Sequence, residues 1–92
     1  MPRWPGPSRY HPLTRYLAGL TADEVTLTFA EIEAIIGAPL PAAARVRSWW
    51  ANTRAFGQGR AWLGASWRVA RASLRTVPPT VTFVRVRPDA TG

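Results

Sequence analysis

The stretch EVTLTFAEIEAIIG, residues 24–37, decides the fold. Its first five residues alternate and are rich in β-branched side chains. That predicts a short strand over Glu24–Thr28, with Val25 and Leu27 turned toward a core. Thr28 then stands where a helix N-cap belongs. Glu31 follows three residues on, the spacing of a capping box, in which each side chain accepts from the other residue's backbone N–H. Phe29, Ile32, Ile35 and Ile36 make one apolar helix face, and Gly37 closes the helix because glycine enters the left-handed C-cap conformation without steric penalty. Glu31 and Glu33 invite a second reading, as a carboxylate pair for acid–base chemistry. Residues two apart on a helix point in different directions, so the cap reading is preferred.

Upstream, Leu13, Tyr16, Leu17 and Leu20 have i, i+3, i+4, i+7 spacing, which predicts a helix from Pro12 to about Ala18. Proline suits a first helical turn, where its missing N–H is not needed, and Gly19 lies near the stop. Residues 1–11 carry three prolines and a glycine, and read as a flexible basic-aromatic arm bearing Arg3, Trp4, Arg9 and Tyr10. Such an arm either reaches onto a nucleic acid or packs its aromatics on its own domain.

Downstream, Pro39 and Pro41 bracket a tight connection, and a third helix is expected over Ala42 to about Ser48, exposing Arg45 and Arg47. Trp49 and Trp50 follow, then a polar loop from Ala51 to Gly57. A short fourth helix is expected over Gln58–Ala65, with Ala61, Trp62 and Ala65 inward, although Gly57, Gly59 and Gly64 weaken it. Trp67–Leu74 and Thr80–Val86 alternate around Val77-Pro78-Pro79 and read as a β-hairpin. Trp67, Val69, Arg71 and Ser73 would share one face of the first hairpin strand, and Arg68, Ala70, Ala72 and Leu74 the other. Pairing with the strand at residues 24–28 completes a three-stranded antiparallel sheet, and residues 88–92 form a frayed tail. The expected fold class is α+β: a winged helix-turn-helix-like domain over residues 12–87, with three to four short helices. The element order is that of such a domain, and the turn at residues 58–65 departs from its simplest form.

The chain has 92 residues and no cysteine, which fits one domain without disulfides or thiolate metal sites. No apolar run is long enough to span a membrane, and no apolar stretch precedes Pro12, so neither a membrane segment nor a secretory signal is expected and the cytoplasm is the default compartment. The net charge is +7, and all 12 basic residues are arginine. An arginine-, alanine- and proline-rich chain is what a GC-rich genome encodes, so compositional bias is one account of the charge. Its distribution supports another. The acids are Asp23, Glu24, Glu31, Glu33 and Asp89, whereas Arg45, Arg47, Arg54, Arg60, Arg68, Arg71, Arg75, Arg85 and Arg87 occupy a stretch with no acid. A stretch of one sign creates a field that attracts phosphates, and the planar arginine fork donates to them in pairs.

Catalytic residue types are sparse. His11 is the only histidine, no serine stands near it in a recognisable triad motif, and Gly57-Gln58-Gly59 lacks the lysine and spacing of a phosphate loop. The expectation is a non-enzyme with no cofactor and no metal. Four of the five tryptophans lie between positions 49 and 67. They build a tryptophan-rich core, or one of the Trp49/Trp50 pair faces outward. In the second case Trp50, Asn52, Arg54, Gln58 and Arg60 would form a recognition surface. Asparagine and glutamine pair with adenine edges, arginine with guanine or phosphate, and tryptophan stacks on bases. Asn52 reads equally well as a turn or capping residue.

The runs Pro12-Leu13-Thr14-x-Tyr16-Leu17, Asp23-Glu24-Val25-Thr26-Leu27-Thr28-Phe29-x-Glu31-Ile32-Glu33 and Leu40-Pro41-x-x-Ala44-Arg45 resemble a small bacterial domain-of-unknown-function family. Trp49-Trp50-x-Asn52, Ala61-Trp62-Leu63-x-Ala65-x-Trp67-x-Val69 and Thr80-Val81-Thr82-Phe83 extend the likeness over about residues 11–85. The resemblance implies a small module found alone or attached to other domains, and implies no activity. It also implies a histidine where this chain has Phe56 and a glycine where it has Ser66. The first departure counts against a metal or catalytic histidine in this loop, and the second suggests that position 66 does not strictly need glycine.

The expected function is a nucleic-acid-binding module, double-stranded DNA first, with RNA or single strands as further partners. Arg45, Arg47, Trp50, Asn52, Arg54, Gln58, Arg60, Arg68 and Arg71 are its contact residues. The alternative is a regulatory or adaptor module that binds protein through the same tryptophan- and arginine-rich patch.

Overall fold

The computed structural model describes residues 9–86. Most of the expected arm, Arg87 and the expected tail lie outside the described residues. The helices are α1 (His11–Ala18), α2 (Phe29–Ile36) and α3 (Gly57–Gly64), and the strands are β1 (Glu24–Thr28), β2 (Trp67–Ser73) and β3 (Thr80–Arg85). The sheet is antiparallel in the order β1-β3-β2, so the last strand lies in the middle. The fold is α+β.

The strand-to-helix junction forms as its residue types dictate. Glu31 N–H donates to Thr28 Oγ1 at 3.0 Å, and Thr28 N–H donates to Glu31 Oε1 at 2.8 Å. Gly37 ends α2 at φ +75°, and its N–H donates to Glu33 O. Glu33 then ties down the next connection, accepting at Oε2 from Leu40 N–H at 2.8 Å. The two carboxylates serve separate backbone groups. In α1, Leu13 and Leu17 are buried, and Thr14 Oγ1 donates to Ala61 O at 2.8 Å, joining α1 to α3.

One face of the sheet packs on the helices. Val25, Leu27, Val81, Phe83, Val69 and Trp67 meet Leu13, Leu17, Ile32, Ile36, Trp50 and Trp62 in a single core. Three buried tryptophans fill much of its volume, with Trp50 and Trp62 stacked at 5.7 Å. The opposite face carries Glu24, Thr26, Arg68 and Arg71, all exposed. On that face Thr82 is buried and shares a 2.8 Å hydrogen bond with Thr26.

Three expectations are corrected. Residues 42–50 form two 3-10 turns, Ala42–Arg45 and Arg47–Trp50, instead of one helix over 42–48. They are separated by Val46 in an extended conformation. The break lets both Ala44 and Trp50 enter the core, where the Trp50 indole N–H donates to Ala44 O at 2.7 Å. A continuous helix would not turn both inward, because positions six apart lie on different faces. The fourth expected helix forms within one residue of its expected bounds, over Gly57–Gly64, with Ala61 and Trp62 buried and Ala65 packed against the core. In β2 a bulge at Ala70 shifts the register, so Val69 pairs with Phe83 while Ala72, not Arg71, pairs with Val81. Arg71 therefore joins Arg68 on the open face instead of sharing a face with Val69. At the N-terminal end, His11 already lies in α1 and Tyr10 packs edge-on to Trp49 at 5.7 Å, so these two residues belong to the domain and not to the arm.

Candidate nucleic-acid interface

The two 3-10 turns, the 51–56 loop and the start of α3 present the residues that the sequence singled out, and Asn52 holds this region together. Its Oδ1 accepts from Val69 N–H at 2.8 Å and from the Trp62 indole N–H at 3.0 Å, while its Nδ2 donates to Val69 O at 2.9 Å. The side-chain amide thus pairs with β2 as a neighbouring strand's peptide would. It caps the outer edge of the sheet at one residue and satisfies the indole of a buried tryptophan. Asn52 is therefore a structural anchor, and its amide is not free to pair with adenine.

Trp50 is corrected too. It is 0% exposed and enclosed by Phe29, Trp49, Trp62 and Phe83, so no base can stack on it. Trp49 is the half-buried member of the pair, and it lines an open groove of about 630 Å3 with Ala43, Val46, Ser48, Phe56 and Gln58. Gln58 is half-buried and donates from Nε2 to Trp49 O at 3.1 Å, which fixes its amide at the groove wall. The groove escaped the sequence reading. Val46 and Phe56 are ten positions apart with no shared periodicity, and only the folding-back of the 51–56 loop brings them together.

The arginines divide into two kinds. Arg85 is structural. Its Nε donates to Asp23 Oδ1 at 3.1 Å, its terminal amine donates to Leu20 O and Ala22 O, and its guanidinium lies 4.8 Å from the centre of the Trp67 ring. Arg45, Arg47, Arg54, Arg60, Arg68, Arg71 and Arg75 are all exposed. Among the described residues none of these seven is paired with a carboxylate. Arg45 lies 6.0 Å from the Phe29 ring centre. Arg60 donates to Arg54 O at 2.8 Å, which holds these two together, two positions from the groove residues Gln58 and Phe56. Arg45 and Arg47 flank Val46 in the chain. Arg68 adjoins the loop through the Asn52–Val69 bonds. Arg71 is further along the open sheet face, and Arg75 lies in the hairpin turn.

His11 is exposed at the start of α1. Among the described residues no three of His, Cys, Asp and Glu stand close enough to hold a metal ion. No described helix is long and apolar enough to cross a membrane. Position 66 closes the turn into β2 at φ +66°, in the left-handed region. The backbone there does favour glycine, so Ser66 occupies it at a steric cost.

No curated protein and no solved structure matches the chain. A family profile described as "Domain of unknown function (DUF7662)" matches residues 10–86, from the residue that packs on Trp49 to the end of the central strand. The chain belongs to this family.

Proposed function

We propose that the domain binds nucleic acid without catalysis, with double-stranded DNA as the first partner, through its exposed arginines. The observation that carries this reading is the set of seven exposed guanidiniums without carboxylate partners, on a segment that has no acid from Ala34 to Val86. Surface cations usually sit among anions, and a one-signed field of this kind favours phosphate over most other ligands. The element order and the sheet order β1-β3-β2 support a winged-helix-like reading of this α+β fold. In that comparison α3 takes the recognition position and the β2–β3 turn, with Arg75, is the wing.

The packing of α3 limits what such a domain could read. Gly59, Ala61 and Trp62 face the core, Gln58 is half-buried at the groove, and Arg60 is the one fully exposed long polar side chain of α3. Contacts would therefore go chiefly to phosphates, from Arg45, Arg47, Arg54 and Arg60, near the groove residues in the chain, and from Arg68 and Arg71 on the open sheet face. Binding of that kind positions a protein without selecting a sequence. A gel-shift titration with a duplex of arbitrary sequence at low and at high salt tests it. Shifted complexes that disappear as salt rises are expected. Failure to shift either duplex or single strand at low salt would refute the reading.

A second reading, a protein-interaction module, is favoured by one observation. Val46 and Phe56 are largely exposed in a single apolar groove with Trp49, on a segment rich in arginine, a composition common at interface hot spots. A complex with a purified protein partner that survives nuclease treatment and is lost on Phe56→Ser would favour it.

A further inference from the structure

Val46 is 58% exposed and Phe56 is 56% exposed, and both line the groove with Trp49. Gathered apolar surface of this kind marks a contact site, whereas single exposed residues such as Tyr16, Val77 and Val86 are ordinary. The charge around the groove constrains what covers it. Arg45 and Arg47 are the chain neighbours of the lining residue Val46, and Arg54 and Arg60 stand two positions from the lining residues Phe56 and Gln58. The chain as a whole carries +7, so a second copy would bring like charge against these arginines. The occupant must be anionic and must also present apolar surface.

We propose that the groove receives an unstacked nucleobase from a single strand or a locally opened duplex. A nucleotide strand combines the two required features at close spacing: a flat apolar base and an anionic phosphate. The base lies against Phe56 and Trp49, and its flanking phosphates meet the arginines that adjoin the lining residues in the chain. Gln58 adds a polar group at the wall. Its Nε2 is held by Trp49 O, and its Oε1 has no hydrogen bond among the described residues, so it is available to a base amino group. Aromatic stacking tolerates any base, and the amide contact adds a preference for amino-bearing ones. This inference rests on the nucleic-acid reading and goes beyond it by naming a base site apart from the phosphate contacts.

The test uses the full chain and labelled strands of about 12 nucleotides, within the span such sites cover. Fluorescence anisotropy compares a deoxyadenylate strand with an abasic strand carrying the same number of phosphates. The deoxyadenylate strand is expected to bind about tenfold more tightly and to quench tryptophan emission. Phe56→Ser and Val46→Ser should each reduce that preference while leaving abasic-strand affinity and thermal midpoint unchanged, since both side chains are exposed. Equal binding of the two strands would overturn the base site and leave the phosphate reading standing. Loss of binding to both strands and to duplex would overturn both. Tighter binding of an acidic peptide with apolar anchors, in competition with the deoxyadenylate strand, would overturn the base site in favour of a protein ligand.

Discussion

Asn52 is exposed, yet its amide makes three hydrogen bonds, two of them to the backbone of Val69 and one to the buried indole of Trp62. Truncating it leaves those groups without partners in a poorly hydrated place. Asn52→Ala is expected to lower unfolding free energy by about 2–3 kcal/mol, measured by urea denaturation. A loss within experimental error would show that water replaces the amide without cost. Asparagine at this position reads from sequence as either a base reader or a turn residue, and the structure assigns a third role. The reason is distance along the chain: its partner strand begins 15 residues later, and nothing local announces it. Trp50 and Trp49 show the same limit. Adjacent tryptophans predict that one is buried, but only the Ala44 carbonyl, placed by the Val46 break, determines which. Ser66 is the opposite case. Its φ of +66° carries a steric cost that glycine avoids, so Ser66→Gly is expected to raise stability by up to about 1 kcal/mol, seen as a higher thermal midpoint. An unchanged or lowered midpoint would mean that the lost freedom of the unfolded glycine chain outweighs the relief.

The elements that were legible are those set by neighbours in sequence. The β1–α2 junction was readable because its cap partners are three residues apart, and both reciprocal bonds form. Thr28→Ala is expected to cost about 1 kcal/mol of stability in the same denaturation experiment. The stretch from residue 42 to 50 was not readable in detail. Alanine-rich local propensity favours a helix, and burial of both Ala44 and Trp50 overrides it. The bulge in β2 was also hidden, because alternation is judged residue by residue and one extra residue inverts every position after it. Helix α3 was legible in place despite its glycines, and one glycine explains itself in the structure. A Cβ on Gly59 would stand 1.9 Å from Thr53 O, so α3 can approach the 51–56 loop only without a side chain there. Gly59→Ala is expected to cost about 3 kcal/mol and to loosen the groove wall that carries Phe56. Wild-type stability for that variant would show that the loop yields readily.

At the scale of the whole molecule, charge is sorted by what the fold does with each arginine. Arg85 clamps the chain before β1 to the end of β3 and covers Trp67, and only contacts spanning more than 60 residues reveal that role. The other described arginines of the acid-free segment stay exposed, but no periodicity could say which of them would lie on the open sheet face. The measurement that tests this account most directly is the slope of log affinity against log salt for a DNA duplex, compared between the wild type and the Arg47→Ala, Arg54→Ala double variant. Each phosphate contact contributes about −0.9 to that slope. Four contacts would thus cost roughly a hundredfold in affinity for a fourfold rise in salt. The account predicts a steep slope for the wild type, made shallower by about 2 in the double variant, with thermal stability unchanged. A wild-type affinity that is unmeasurable at low salt, or a slope identical in the two proteins, would contradict it.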